Sequence, residues 1–301
     1  MNAPAPARAD FGPVTIYFGE KTGKYPDGNQ VVVRGRDTLA VFDTPQVANR
    51  VGADVDDADL VILGHVHEDH MAGLHRLPRA EVHAHEADLE AVRSWAGLAK
   101  HYGYPAEVLV GLRRKLERDF NYVPRPDAIG YRDGATWDLG AVRVRALHMP
   151  GHTAGHCVLL VEPQGIAFIG DIDLSSFGPY YGDATSSLAQ FRRTLARVED
   201  VPASVWVTSH HKGVITERAA FLQAVHAFAA RIDEREQRVL DLLAEGPRTL
   251  DDLVACRVMY KPEADELWID SAERRCISQH LEELLAAGRV RAGADGAYRR
   301  A

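Results

Sequence analysis

The chain has 301 residues, 46% of them apolar, enough to bury the core of one large domain or of one domain with an appendage. Its net charge of −8 excludes a global basic field that would gather nucleic acid. There is no run of about 18 apolar residues to form a transmembrane helix. The three cysteines, Cys157, Cys256 and Cys276, lie far apart without CxxC spacing, which fits a reducing cytoplasm rather than a disulfide framework.

The opening MNAPAPARAD lacks the apolar stretch of a secretory signal and reads as a disordered tail over residues 1–10. VTIYF, QVVVRG and LAVFDT are short β-branched runs bounded by Gly, Asp and Pro, and predict consecutive strands. TPQVANRVGA predicts a short helix, and DLVILGH and AEVHAH two further strands. From Glu86 to Arg118 the pattern is helical, broken by YGYP at Tyr102 to Pro105. Its Trp95, Tyr102 and Tyr104 either cover a site or form the core of the insert. A second strand series follows in AVRVRALHM, HCVLLVE, GIAFIGD and ASVWVTSH. Between the last two lies SSLAQFRRTLARV, an amphipathic helix with a serine cap. Two strand-rich halves with interspersed helices predict an α/β fold of two sheets packed face to face with helices outside.

After Phe221 the composition turns helical. Three helices and a two-stranded ribbon around a Gly-rich turn make a winged-helix-like pattern. The expected division is therefore a first domain of strands and helices over residues 11–225, with its helical insert at 86–125, and a helical domain over 226–301. From Asp233 onward fifteen acidic residues outweigh eleven basic ones, a net −4, and DSAERRCISQHLEEL has no basic excess. Phosphate binding needs such an excess. The segment reads instead as a packing or dimerisation module, with a homodimer as one outcome and no nucleic-acid or membrane partner expected.

Fourteen histidines are the most informative composition signal, and they cluster. HVHEDH, from His65 to His70, follows the apolar LVILG; His152 follows VRALHM within PGHTAGH; Asp171 ends AFIGD; His210 ends VWVTS. Strand ends in a layered fold converge on one edge, while the strand interiors hold them rigid. In an extended segment His65 and His67 point the same way and, with His152, make a set of three nitrogens for one ion. A turn at Glu68 lets Asp69 and His70 join His210 around a second ion, and the two oxygens of Asp171 can bridge both. Imidazole with carboxylate suits zinc, and also iron or manganese. His210 directly follows the strand and is preferred to His211, which would then point toward substrate. Tyr180 and Tyr181, in a Gly/Pro-rich loop, either pack or wall the substrate site. Glu68 is expected to have no catalytic role, Asp173 to serve a turn, and His75, His83, His85, His148 and His156 to hold the ligand loops.

HVHEDHMAGL, PGHTAGH, FIGD and VTSHHKG resemble, in order, the signature elements of the metallo-β-lactamase fold superfamily, over residues 12 to 225. The resemblance implies an αββα sandwich with a dinuclear metal site on one edge. VFDTP, with Asp43, is similar to the superfamily's first strand-end aspartate, a structural member near the site, and the C-terminal segment is similar to that of the lactamase-like protein 2 branch. The chemistry expected is hydrolysis, in which two divalent ions generate a hydroxide, Asp69 both ligates and orients it, and no serine or cysteine nucleophile is needed. The leading substrate class is a small ester-like molecule, a thioester, lactone or relative. A metal-dependent endoribonuclease or phosphodiesterase is one alternative, but needs a basic groove. A mononuclear iron sulfur dioxygenase is another, but needs only two histidines and one aspartate. A β-lactamase would be exported, and flavodiiron relatives carry glutamate where this chain has His67.

Overall fold

The computed structural model describes residues 5–301. β1 (Arg8–Phe11), β2 (Val14–Tyr17), β3 (Gln30–Arg34), β4 (Leu39–Phe42), β5 (Leu60–Ile62), β6 (Glu81–His85) and β7 (Ile129–Tyr131) form a seven-stranded sheet in chain order. β8 (Thr136–Asp138), β9 (Arg143–His148), β10 (Cys157–Glu162), β11 (Ile166–Phe168), β12 (Val205–Val207) and β13 (Val214–Ile215) form a six-stranded second sheet. The single turns α1 (Glu20–Gly23) and α2 (Ala53–Asp56) precede the insert helices α3 (Leu89–Arg93), α4 (Trp95–Tyr102) and α5 (Ala106–Asp119). α6 (Leu188–Val198) joins β11 to β12, capped by the Ser187 side chain as its sequence predicts.

The central strands read as unbroken apolar runs because both of their faces are covered. Alternate residues such as Val31, Val33, Phe42 and Ile62 meet Val144, Leu159, Val161 and Phe168 between the sheets. Val32, Val41, Val61 and Val82 point the other way, under Val92, Leu98, Leu112 and Leu116 of α3, α4 and α5. On the outside of the second sheet Val158, Leu160 and Trp206 pack against Phe191 and Leu195 of α6. The result is four layers, helix–sheet–sheet–helix.

Two expectations are corrected. The tail expected to be disordered over residues 1–10 enters a strand at its end, with Arg8 opposite Tyr17 and Phe11 opposite Val14; residues 1–4 lie outside the described residues. TPQVANRVGA is a 3₁₀ turn at Gln46–Arg50 followed by α2 rather than one helix, and Gly52 between them sits at φ 83°, which interrupts a right-handed helix.

The C-terminal segment holds α7 (Arg218–Ala244), α8 (Leu250–Ala255), α9 (Ile269–Ala286) and the hairpin β14 (Val290–Ala292) and β15 (Tyr298–Arg300). Thr249 and Asp252 cap the start of α8 reciprocally. α7 runs unbroken through residue 225. Its first half, with Phe221, Val225, Phe228 and Ile232, belongs to the core of the second sheet, where Phe221 stacks on Trp206 at 4.3 Å. Its second half, with Val239, Leu240 and Leu243, packs with α8 and α9 around a separate core. Among the described residues no helix is long and apolar enough to cross a membrane, and all three cysteines are free.

Candidate metal centre

Strand direction brings the polar clusters to one edge. β4, β5 and β6 are mutually parallel, so their C-terminal ends share an edge of the first sheet. In the second sheet β9 and β11 both run antiparallel to β10, and β12 runs parallel to β11, so β9, β11 and β12 also end together. Asp43 follows β4, His65 to His70 follow β5, His152 follows β9, Asp171 follows β11 and His210 follows β12.

Two groups of ligand-type atoms form there, with a carboxylate between them. His152 Nε2 lies 3.2 Å from His65 Nε2 and 3.0 Å from His67 Nδ1. Asp171 Oδ2 stands 3.3 Å from His152 Nε2 and 3.9 Å from His65 Nε2. The other oxygen, Oδ1, faces His70 Nε2 at 3.2 Å and His210 Nε2 at 3.5 Å. Asp69 Oδ2 completes the second group, 3.0 Å from His210 Nε2 and 3.7 Å from His70 Nε2. A short 3₁₀ turn at Glu68–His70 swings Asp69 and His70 away from the extended His67 and toward the second group.

The far nitrogens of four imidazoles are engaged, which leaves the near nitrogen as a lone pair in the neutral ring. His70 Nδ1–H donates to Asp43 Oδ2 at 2.7 Å, His152 Nδ1–H to the Tyr180 carbonyl at 3.0 Å and His210 Nδ1–H to the Gly23 carbonyl at 2.7 Å. His67 is turned over, donating Nε2–H to Asp183 Oδ2 at 2.7 Å. His65 is the exception, its Nδ1 having no hydrogen-bond partner among the described residues.

A divalent cation fits these groups. Lone pairs aimed at one another repel unless a positive charge lies between them. For nitrogens ~2.0–2.1 Å from a tetrahedral ion, neighbours sit about 3.3 Å apart, close to the nitrogen spacings here. His70 Nε2 and Asp171 Oδ1 are both buried and, although close, make no hydrogen bond. Against burial, the Asp171 and Asp69 carboxylates raise His70 well above its ordinary value and His210 to about 9, so a cation binding there would replace ring protons. Burial opposes ionisation throughout, yet His70, His210 and His65 hold the Asp171 carboxyl well below its ordinary range. Burial pushes His152 down to about 3, keeping its ring neutral, whereas Asp183 overcomes burial to raise His67 to about 9, so an ion at His67 Nδ1 would displace a proton from that nitrogen.

Further side chains hold the loops. Asp43 spans His70 and the backbone N–H of Gly64, the latter at 2.7 Å. Its φ of 52° is a left-handed conformation that costs ~1–3 kcal/mol outside glycine and recurs at functional sites. His156 donates Nδ1–H to the Met149 carbonyl at 3.1 Å and accepts the Asp171 N–H at 3.2 Å, fixing where Asp171 starts. His85 stacks on His148 at 4.1 Å, and His83 and His75 bond locally, to Glu81 and the Ala72 carbonyl. Gly151 sits at φ 139° where a Cβ would lie 2.4 Å from the backbone of Phe191, so PGHTAGH needs its first glycine for close approach to α6. Asp88 escaped the sequence reading. Buried, it accepts Thr153 Oγ1–H at 2.6 Å and Gly155 N–H at 2.8 Å and so braces the His152 loop. Asp183 was missed as well. Neither has a local sequence signal.

The three candidate substrate contacts separate. Tyr180 borders the site, its ring 5.8 Å from that of His152 and 6.1 Å from that of His67. Tyr181 is corrected: its side chain is fully buried and points into the C-terminal helices, where its hydroxyl meets His280 Nε2 at 2.8 Å. His211 stands outside both groups, at φ 61°, with Nε2 3.8 Å from Asp173. Glu68 turns from the ligand groups toward the hydroxyls of Tyr25 and Tyr102, so Tyr102 covers the motif loop. A separate Glu236, His280 and Glu283 cluster lies between α7 and α9, but Arg192 already pairs with both its carboxylates.

The fold has known counterparts. Over 155 residues the chain is 30% identical to a hydroxyacylglutathione hydrolase of Methylococcus capsulatus, a match covering 50% of this chain and 58% of that protein. It is 29% identical over 119 residues to the human acyl-coenzyme A thioesterase MBLAC2, covering 38% and 40% of the two chains. The chain thus matches about half the length of these relatives. A crystal structure of a metallo-beta-lactamase family protein from Thermus thermophilus aligns with a TM-score of 0.67 at 25% identity, covering 91% of this chain and 94% of that one. Residues 26–210, which carry every member of the two ligand groups, match the Metallo-beta-lactamase superfamily profile, and the chain belongs to that superfamily.

Proposed function

We propose that the protein is a hydrolase that cleaves a small acyl substrate, a thioester, lactone or related ester, at a centre of two divalent metal ions, zinc foremost with iron or manganese as alternatives. The observation that carries the reading is the Asp171 carboxylate, whose two oxygens face different nitrogen groups, Oδ2 toward His152 and Oδ1 toward His70. His65, His67 and His152 would hold the first ion, Asp69, His70 and His210 the second, and Asp171 both.

When bound, the ions supply a water that ionises near neutral pH and a positive charge beside the substrate's carbonyl oxygen. The protein's own groups do the rest. Asp69 would hold the attacking water by a carboxylate oxygen and direct its lone pair at the carbonyl carbon. Tyr180 would wall the acyl group, its hydroxyl donating to Asp183 at 3.0 Å. Cys157 offers no competing nucleophile, because burial pushes its thiol up to about 12. The names of the two relatives, one a hydroxyacylglutathione hydrolase and one an acyl-coenzyme A thioesterase, support an acyl group carried on a thiol as the substrate class.

Metal analysis combined with a hydrolysis screen tests the reading. About two ions per chain are expected, with turnover of thioesters or lactones that a chelator abolishes and zinc restores. Saturation at one ion with Asp69, His70 and His210 free would overturn the two-ion centre and favour a mononuclear dioxygenase. Preference for phosphodiesters over every ester would favour the nuclease alternative.

A further inference from the structure

Asp183 is fully buried in the loop between β11 and α6. A carboxylate at that depth costs several kcal/mol unless its oxygens are satisfied. Three donors satisfy it. Oδ2 accepts Nε2–H of His67 at 2.7 Å, and Oδ1 accepts the hydroxyls of Tyr180, at 3.0 Å, and Tyr104. His67 is the one imidazole of the centre that presents Nδ1 instead of Nε2 to its neighbours. In the opposite tautomer its Nδ1 proton would point at His152 Nε2, 3.0 Å away, and the lone pair there would be gone. An ionised carboxylate can only accept, so Asp183 selects the tautomer and fixes the ring angle together.

The loop that carries Asp183 is in turn held from the C-terminal segment. Arg235 of α7 donates to the carbonyls of Phe177, at 2.6 Å, and Pro179. Gln279 of α9 bridges the Tyr181 carbonyl at 3.0 Å and the Leu188 N–H at 2.7 Å. Arg275 of α9 donates to the carbonyls of Ser186, at 3.0 Å, and Asp183, at 3.3 Å. The same loop supplies the Tyr180 carbonyl that orients His152. Two of the three imidazoles in the first group therefore take their orientation from a loop whose backbone is pinned by α7 and α9.

We propose that Asp183 is the positioning residue of the first metal position and that the C-terminal helices set its place, which makes the segment beyond residue 217 part of the metal centre's scaffold. The inference rests on the reading that His65, His67, His152 and Asp171 hold an ion.

The test uses the full chain in a His210→Ala background, where only the first position keeps its full donor set, with zinc competed against a chromophoric chelator. Asp183→Asn keeps the volume and removes the charge. It is expected to weaken zinc binding by about 10–100-fold, the usual effect of losing such a partner. Gln279→Ala, which loosens the loop without touching His67, is expected to weaken it in the same direction by less. Thermal unfolding of the metal-free proteins separates positioning from general stability, since a merely structural residue lowers the melting temperature and leaves the folded protein's affinity alone. Unchanged affinity in folded Asp183→Asn overturns the proposal. Should that variant not fold, unchanged affinity in Gln279→Ala does so. If the background protein itself takes up no zinc while the wild type binds it, the assignment of the first position falls and this inference with it. If Asp183→Asn alone binds normally, the metal centre stands and only the role of Asp183 is lost.

Discussion

At the scale of single residues, the ligand groups divide the effects of substitution. Asp171 faces both nitrogen groups, so Asp171→Ala is expected to weaken both ions together and remove most turnover. Asp69→Ala is expected to release mainly the second ion. His211→Ala is expected to leave metal content unchanged, because its ring stands 6.4 Å from that of His210 and outside both groups. Metal counts on the three folded variants check this, and two retained ions with full turnover in Asp171→Ala would refute it. What could be read beforehand follows from the range of each interaction. HVHEDH packs its geometry into six consecutive residues, so extended spacing and one turn suffice to place the side chains. Asp183 meets His67 across 116 positions and Asp88 meets Thr153 across 65, distances at which no local pattern operates. Tyr180 and Tyr181 are neighbours in an irregular loop. Without a period of 2 or 3.6 nothing in the sequence tells which faces the site and which faces α9.

At the scale of elements, strands covered on both faces were legible as runs, while β7, β8 and β13 were not. These have two or three residues each, lie at sheet edges or next to them, and are partly exposed, so they carry neither a long apolar run nor clean alternation. In helix α9 a charged residue is no sign of a solvated face. Glu273 is fully buried and its carboxylate accepts the backbone N–H groups of Val258, Met259 and Tyr260 at 2.6–3.2 Å. It thereby ties the loop after α8 to α9. Glu273→Ala would strand three N–H donors, each worth about 1–3 kcal/mol when left unpaired in the interior. A loss of about 3 kcal/mol or more is expected in denaturant unfolding. A loss below about 1 kcal/mol would mean that water reaches these donors.

At the scale of the whole molecule, charge and packing give the C-terminal segment its meaning. The helix, helix, helix, hairpin order invites comparison with nucleic-acid readers, but the chain carries −8 overall and −4 beyond residue 232. No binding to duplex DNA or RNA is expected at roughly 0.15 M salt. Tight binding in a mobility assay, falling steeply as salt rises, would promote the nuclease reading over the esterase one. The composition change near Phe221 was visible in the sequence, but it marks the start of a helix shared by two cores rather than a junction between them. That sharing has an angular consequence. α7 is an axle with one core fixed at each end, and each residue added between Ile232 and Val239 would turn the far end by about 100° and push it ~1.5 Å along the axis. A single inserted residue would carry Gln279 and Arg275 around the barrel of the helix and off the loop they grip, though it would touch no ligand and break no strand. The number of residues in that stretch is thus set by rotational phase and by rise together, since even a whole added turn restores the phase but moves the far core by about 5.4 Å.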